Sequence, residues 1–308
     1  MKRKGMPRRV HSVQTVAVLS LKGGVGKTTI VLGLASAAQR RGARTLVVDL
    51  DPQCNATATL DPDDTEATLA DVLETPRPAV LRDAIARSGW GEEVDVLVGS
   101  EDLELLNDQD PDPRRLEKLS RALEELAHLL SDDELPYQLV LLDCPPSLGR
   151  LTKSALIAAQ GALLVTEPTL FAVSGAQRAF EAVEQVAEEH NPDLKPLGVV
   201  VNRVRPQSYE HQYRIQELRE HFGNLVMPVA LPDRLAVQQA QGACLPIHAW
   251  GTPGSREVAL ALNLLLARVL RSMSKPRPRP VIRTDEDTDT DTDYEADVDS
   301  DERVVQDG

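Results

Sequence analysis

At 308 residues and 42% hydrophobic content, the chain has enough material for one large core or two modest ones. No apolar run reaches the roughly 20 residues of a membrane span; three widely spaced cysteines (Cys54, Cys144 and Cys244), with no Cys-x-x-Cys and no His-Glu-x-x-His, argue against a disulfide framework or a zinc site and suit a reducing cytoplasm. The net charge of −14 is uneven: five basic residues crowd positions 1–11, four more fall within 273–283, and 284–308 hold twelve acids against one arginine.

The basic start, 1–11, lacks the apolar stretch of a signal peptide and reads as a solvated arm. VQTVAVLS (13–20) has the composition of a buried strand, and TTIVLGLASAAQRR (28–41) reads as a helix closed by Gly42. Between them lies LKGGVGKTT (21–29). A phosphate-binding loop reads G-x-x-x-x-G-K-[ST] between a strand and a helix. Gly26, Lys27 and Thr28 fit its ending, but Leu21 stands where the first glycine belongs, and a second lysine, Lys22, follows. In such a loop the backbone N–H groups of Gly23, Gly24, Val25, Gly26 and Thr29 turn toward phosphate oxygens, aided by the positive end of the helix. Lys27 would reach the outer phosphates, and the Thr28 hydroxyl would ligate Mg²⁺.

TLVVDL (45–50) reads as a second buried strand running into VVDLDPQCNAT (47–57). Two carboxylates there, Asp49 and Asp51, require a cation or a polar network to receive them. Asp51 can face the terminal phosphate and orient or deprotonate the attacking water, or else cap the backbone that follows. Asp49 joins Thr28 as a candidate metal ligand. The stretch 61–135 is less regular, with a strand expected at VDVLVG (94–99), a turn at DQDPDP (108–113) and a helix over RRLEKLSRALEELAHLL (114–130). YQLVLLD (137–143) has the form of a Walker-B strand, whose final acid, Asp143, binds Mg²⁺, commonly through water. Pro145 and Pro146 then force an extended turn. GALLVTE (161–167) and LGVVVN (197–202) repeat the pattern of an apolar run with a polar end, and ligands of open α/β sheets sit at those carboxyl ends. VALALNLLLARVL (258–270) reads as a core helix. SKPRPRP favours an extended segment, and 284–308 are too charged and too poor in apolar residues to bury anything. The expectation is an α/β fold, a doubly wound, mainly parallel sheet flanked by helices over 12–272. A Pro/basic linker and an acidic disordered tail, 273–308, follow it.

KGGVGKTT, VVDLDPQCNAT and LVLLDCPPSLG, in this order, resemble the ParA/MinD family of deviant Walker-A P-loop ATPases over about 13–270. The ParA-type partition proteins, with KGGxGKT, DxDPQGN and DxPPSLG, are the nearest likeness. The resemblance implies a single domain that binds ATP and Mg²⁺, forms an ATP-dependent homodimer with nucleotide at the interface, and hydrolyses slowly. It also implies nonspecific DNA binding, a ParB-type centromere-binding partner that stimulates hydrolysis, and a cytoplasmic, nucleoid-associated protein without a membrane partner. Carried over by position, Lys22 is the signature lysine that reaches the partner subunit's phosphates, Lys27 the phosphate lysine, Thr28 the magnesium ligand, Asp51 the water-positioning acid and Asp143 the Walker-B acid. Asn202 matches a base-reading amide, and the turn at Pro232 and Asp233 is an expected adenine neighbour. Two departures stand out. Cys54 replaces a glycine, and the turn 232–236 has an acid and an alanine where many partition proteins carry arginines that contact DNA. Arg203, Arg205, Arg234, Arg268 and Arg271, or the basic arms, are the remaining candidates for that contact. The alternative is a MinD-like or other cargo-positioning ATPase working on a protein scaffold.

Overall fold

The computed structural model describes residues 13–107, 112–129 and 136–274. The basic arm, the Pro/basic linker, the acidic tail and most of the DQDPDP turn lie outside the described residues. Runs of Val, Leu and Ala form the strands β1 (Gln14–Leu19), β2 (Thr45–Asp49), β3 (Ile85–Arg87), β4 (Val94–Leu97), β5 (Leu139–Asp143), β6 (Gly161–Thr166) and β7 (Lys195–Val201). They pair in the order β3-β4-β2-β5-β1-β6-β7. All neighbours are parallel except β3 and β4. Near-continuous apolar runs suit such strands because a parallel sheet is covered on both faces.

The helices are α1 (Lys27–Gln39), α2 (Asn55–Leu60), α3 (Leu69–Glu74), α4 (Pro78–Asp83), α5 (Pro113–Leu116), α6 (Lys118–Leu129), α7 (Arg150–Ala158), α8 (Ala172–Glu189), α9 (Tyr209–Phe222), α10 (Leu235–Gly242) and α11 (Pro253–Met273). They split between the faces according to the strand's period of two. Val16 and Val18 of β1 join one core with α1, α2, α10 and α11. Ala17 and Leu19 point into the other, with α3, α4 and α6 to α9. The result is the expected doubly wound, three-layered α/β architecture. The irregular stretch contains more order than its sequence suggests: two short helices, α3 and α4, and the antiparallel edge strand β3 occupy 69–87. The helix expected over 114–130 breaks at Glu117 into α5 and α6.

The register places the chemistry. Asp49 at the end of β2 is directly opposite Asp143 at the end of β5, and Asp143 is opposite Val18 of β1. Because β5 sits between β2 and β1, all three motifs emerge at neighbouring carboxyl ends.

Candidate nucleotide and magnesium site

β1 hands the chain to a tight turn in which Gly24 and Gly26 adopt φ of 80° and 90°. Both angles belong to the left-handed region that glycine enters without strain. Gly26 is also the N-cap of α1, so the loop delivers its amides to a helix N-terminus. Lys27, the first helical residue, is buried at 6% exposure. Lys22 is different: its side chain is 54% exposed, and its ammonium lies 4.0 Å from the Glu167 carboxylate.

Asn202 closes the loop from beneath. Its Nδ2 donates to the Val25 carbonyl at 2.8 Å, and a Cβ on Gly26 would stand 2.2 Å from that nitrogen. The amide expected to read a base is thus also a strut of the phosphate loop. The turn at Pro232 and Asp233 runs alongside, bridged to Val204, so Asn202 and this turn form one edge of the loop's surroundings.

The three aspartates have distinct environments. Asp143 is fully buried, and apart from the Thr28 hydroxyl that faces it, neither carboxylate oxygen has a hydrogen-bond donor. Burial, then the Asp49 charge, holds its pKa well above the ordinary carboxylate value, while the Thr28 hydroxyl and the Lys27 ammonium pull in the opposite direction. A buried acid so short of donors is costly unless a cation meets it. Facing the Thr28 hydroxyl beneath a phosphate loop, this donor set is hard oxygen and fits magnesium.

Asp49, grouped with the metal ligands on sequence, is held by hydrogen bonds within its own chain. Its Oδ2 accepts from the Thr57 amide and hydroxyl, both at 2.8 Å, and its Oδ1 accepts from the Asp51 amide at 3.3 Å. Both oxygens are therefore engaged in tying the end of β2 to α2. Burial raises its pKa to about 6. Asp51 follows the strand in the turn, 7% exposed, and its Oδ1 accepts from the Gln53 amide at 3.0 Å. It lines a cavity of about 530 Å³ together with Gln53, Glu104, Asn107 and the turn 145–149. The backbone cap weighed for Asp51 is present, and one carboxylate oxygen makes it while the residue still borders open space.

Cys54, standing where the resembled motif has glycine, adopts φ 52° and ψ 30° at the N-cap of α2. This left-handed conformation costs about 1–2 kcal/mol for a residue with a Cβ. Three of the candidate arginines are committed to acids of the same chain. Arg203 donates to Glu167 and to the Gly24 carbonyl, both at 2.7 Å. Arg205 pairs with Asp233 at 2.8 Å, and Arg234 grips Glu257 with two bonds of 2.7 and 2.9 Å. Sequence reasoning missed Thr57 and Glu167 as partners of the site, because each lies in another element from the residue it holds. Among the described residues no helix is long and apolar enough to cross a membrane.

The AAA_31 family model, an AAA domain, matches residues 13–196. The chromosome-partitioning ATPase Soj of Thermus thermophilus is 34% identical over 260 residues, covering 83% of this chain and 97% of Soj. The chromosome partitioning protein ParA of Caulobacter vibrioides is 32% identical, covering 77% of this chain and 87% of that protein. Among solved structures, a cobyrinic acid a,c-diamide synthase from Mycobacterium smegmatis, with bound ADP and magnesium, superposes with a TM-score of 0.67 at 27% identity; the match covers 88% of this chain and 99% of that one. A phosphate loop with two lysines, a buried carboxylate suited to magnesium and these relatives agree: the chain belongs to the ParA/MinD family of P-loop ATPases and uses ATP and Mg²⁺.

Proposed function

We propose that this chain is a ParA-type partition ATPase: ATP joins two copies into a dimer, the dimer binds DNA without sequence preference, and a ParB-type centromere-binding partner stimulates hydrolysis and release, so that chromosome or plasmid DNA is segregated. The observation that carries the reading is the pair of lysines on one loop. Lys27 is buried under the glycine turn, where it serves the protein's own nucleotide. Lys22 is on the surface, where it can extend to the phosphates of a second subunit. Soj and ParA, to which the chain is similar over most of its length, are named for chromosome partitioning.

In this reading the amides from Gly23 to Thr29 hold the phosphates, with Lys27 on the outer ones. Thr28 and Asp143 hold the magnesium site, and Asp49 supports it from behind. Magnesium held there would neutralise the charge that develops on the phosphates. Asp51 orients the attacking water across the open cavity with its remaining carboxylate oxygen. Asn202 and the turn at Pro232 and Asp233 border the base. The domain proper is 12–272, with the charged arms as appendages.

A second reading, a cargo-positioning ATPase on a protein scaffold, draws support from the arginines. Three of the candidate DNA contacts, Arg203, Arg205 and Arg234, are each paired with a carboxylate of the same chain. Nonspecific DNA affinity rests on free Lys and Arg meeting phosphates. Retention of duplex DNA by the full chain, measured with ATP, with ADP and without nucleotide across a salt series, separates the two. ATP-specific, salt-sensitive retention is the partition outcome; no retention in any state selects the scaffold reading.

A further inference from the structure

After Asp143 the chain leaves the sheet through Cys144, Pro145, Pro146, Ser147, Leu148 and Gly149 before α7 begins. No strand ladder guides this turn, yet it carries the backbone of the magnesium acid. Asn107, which follows the short 3-10 helix Glu101–Leu106, meets it directly. The Asn107 Nδ2 donates to the Ser147 hydroxyl oxygen at 3.1 Å, and the Leu151 amide donates to Asn107 Oδ1 at 3.4 Å. The two segments close as far as they do because residue 149 is glycine: a Cβ there would lie 2.2 Å from Asn107 Oδ1 and 3.2 Å from its backbone oxygen.

The same segment is fastened at its other end. The Gly99 amide donates to the Thr57 hydroxyl at 3.0 Å, and a Cβ on Gly99 would lie 2.9 Å from the Asp49 carbonyl. Thr57 is the residue that holds the Asp49 carboxylate. Residues 99–107 are therefore anchored first to the strand end that precedes Asp51 and then to the turn that follows Asp143. Between those anchors lies the cavity that Asp51, Asn107 and the turn 145–149 line together.

We propose that Asn107 is a positioning residue for ATP hydrolysis, holding the turn 145–149 in register with Asp51 so that the two aspartates act on one phosphate. The inference rests on the roles given above to Asp51 and Asp143. Its side chain supplies a donor to one end of the turn and an acceptor at the start of α7, and an amide is the group that provides both.

The test is steady-state ATPase activity of the full chain alongside ATP affinity, melting temperature and hydrogen exchange of the 144–151 amides. Loss of one well-placed hydrogen bond corresponds to about a tenfold rate change when it is expressed in the transition state. Asn107→Ala is expected to lower kcat about tenfold, with ATP affinity at its wild-type value, melting temperature lowered by no more than about 2 °C and faster exchange confined to 144–151. Adding Ser147→Ala to Asn107→Ala should lower kcat no further. A wild-type kcat in Asn107→Ala overturns the inference, as does a parallel loss of kcat, affinity and melting temperature, which marks a packing residue. Should Asn107→Ala fail to fold, Ser147→Ala carries the test: about threefold slower turnover supports the role, and wild-type turnover overturns it. A wild-type chain without ATPase activity defeats the functional reading itself, whereas an active wild type with an unaffected Asn107→Ala defeats this inference alone.

Discussion

Replacing Asp143 by asparagine tests the magnesium site through stability as well as through activity. The carboxylate is 0% exposed, with only the Thr28 hydroxyl facing it as a donor, and its pKa stands well above the ordinary 3.8, chiefly through burial. The unfolded chain ionises the same acid freely. The folded state thus binds the proton more tightly than the unfolded state, so stability is highest below the ordinary value and falls as pH rises through and beyond it. The desolvation penalty of a buried polar group short of partners, about 1–3 kcal/mol, sets the size of the effect. Taking about 2 kcal/mol, and about 2 °C per kcal/mol for a domain of this size, Asp143→Asn should melt about 4 °C higher than wild type at pH 7 without nucleotide. Near pH 4 the gain should almost vanish. Scanning calorimetry in EDTA and in magnesium with ATP reads both consequences, because the wild type gains a magnesium-dependent increment that the variant lacks. An Asp143→Asn protein that melts lower than wild type at pH 7 in EDTA, with its magnesium increment intact, would refute the reasoning.

Lys27→Ala should abolish ATP binding in a nucleotide titration, and unchanged affinity would remove the phosphate-loop assignment. Lys22→Ala should bind ATP normally but fail to dimerise or turn over; an ATP-dependent dimer by light scattering would end its role between subunits. Cys54→Gly relieves a left-handed residue and should stabilise the protein by about 1 kcal/mol, raising its melting temperature by about 2 °C; a lower value would show that the side chain packs usefully. His248 accepts or donates a 2.7 Å hydrogen bond with Ser36, and its pKa is lowered, first by burial and also by the Arg40 charge. A depressed histidine contributes stability above its ordinary 6.5 that is lost as pH falls below it. Wild type should therefore lose melting temperature relative to His248→Asn between pH 7.5 and pH 5.5, and parallel curves would exclude the effect.

The parts of the site that use adjacent residues were legible in the sequence. Gly24, Gly26, Lys27 and Thr28 announce a strand-to-helix turn by themselves, and the strand before Asp143 is four apolar residues long. Long parallel strands and α11 were legible for the same reason, since burial on both faces demands continuous apolar runs. The short elements were not. Ile85–Arg87 is three residues that become a strand through antiparallel pairing with β4, and α2 to α4 have six residues each, too few for a period to register. Asp49 shows the limit most clearly. A carboxylate ending a buried strand looks like a ligand, and its satisfaction by Thr57 is fixed by how α2 folds back. The arginine partners are hidden likewise: Glu167 is 36 positions from Arg203, and Glu257 is 23 from Arg234.

Those arginine pairs change what salt would do to any complex on that face. An exposed arginine that meets a phosphate displaces a condensed cation into solution, and each such contact steepens the fall of affinity with salt by about 0.9 in a log–log plot. Arg203, Arg205 and Arg234 arrive with Glu167, Asp233 and Glu257 already attached. A polyanion docking there would exchange one anionic partner for another, leaving three carboxylates facing its own charge. The entropy of cation release would be offset by that repulsion, and the face would behave as three dipoles instead of three charges. Steep salt dependence, if this protein displays it, would then have its origin in other cations of the chain.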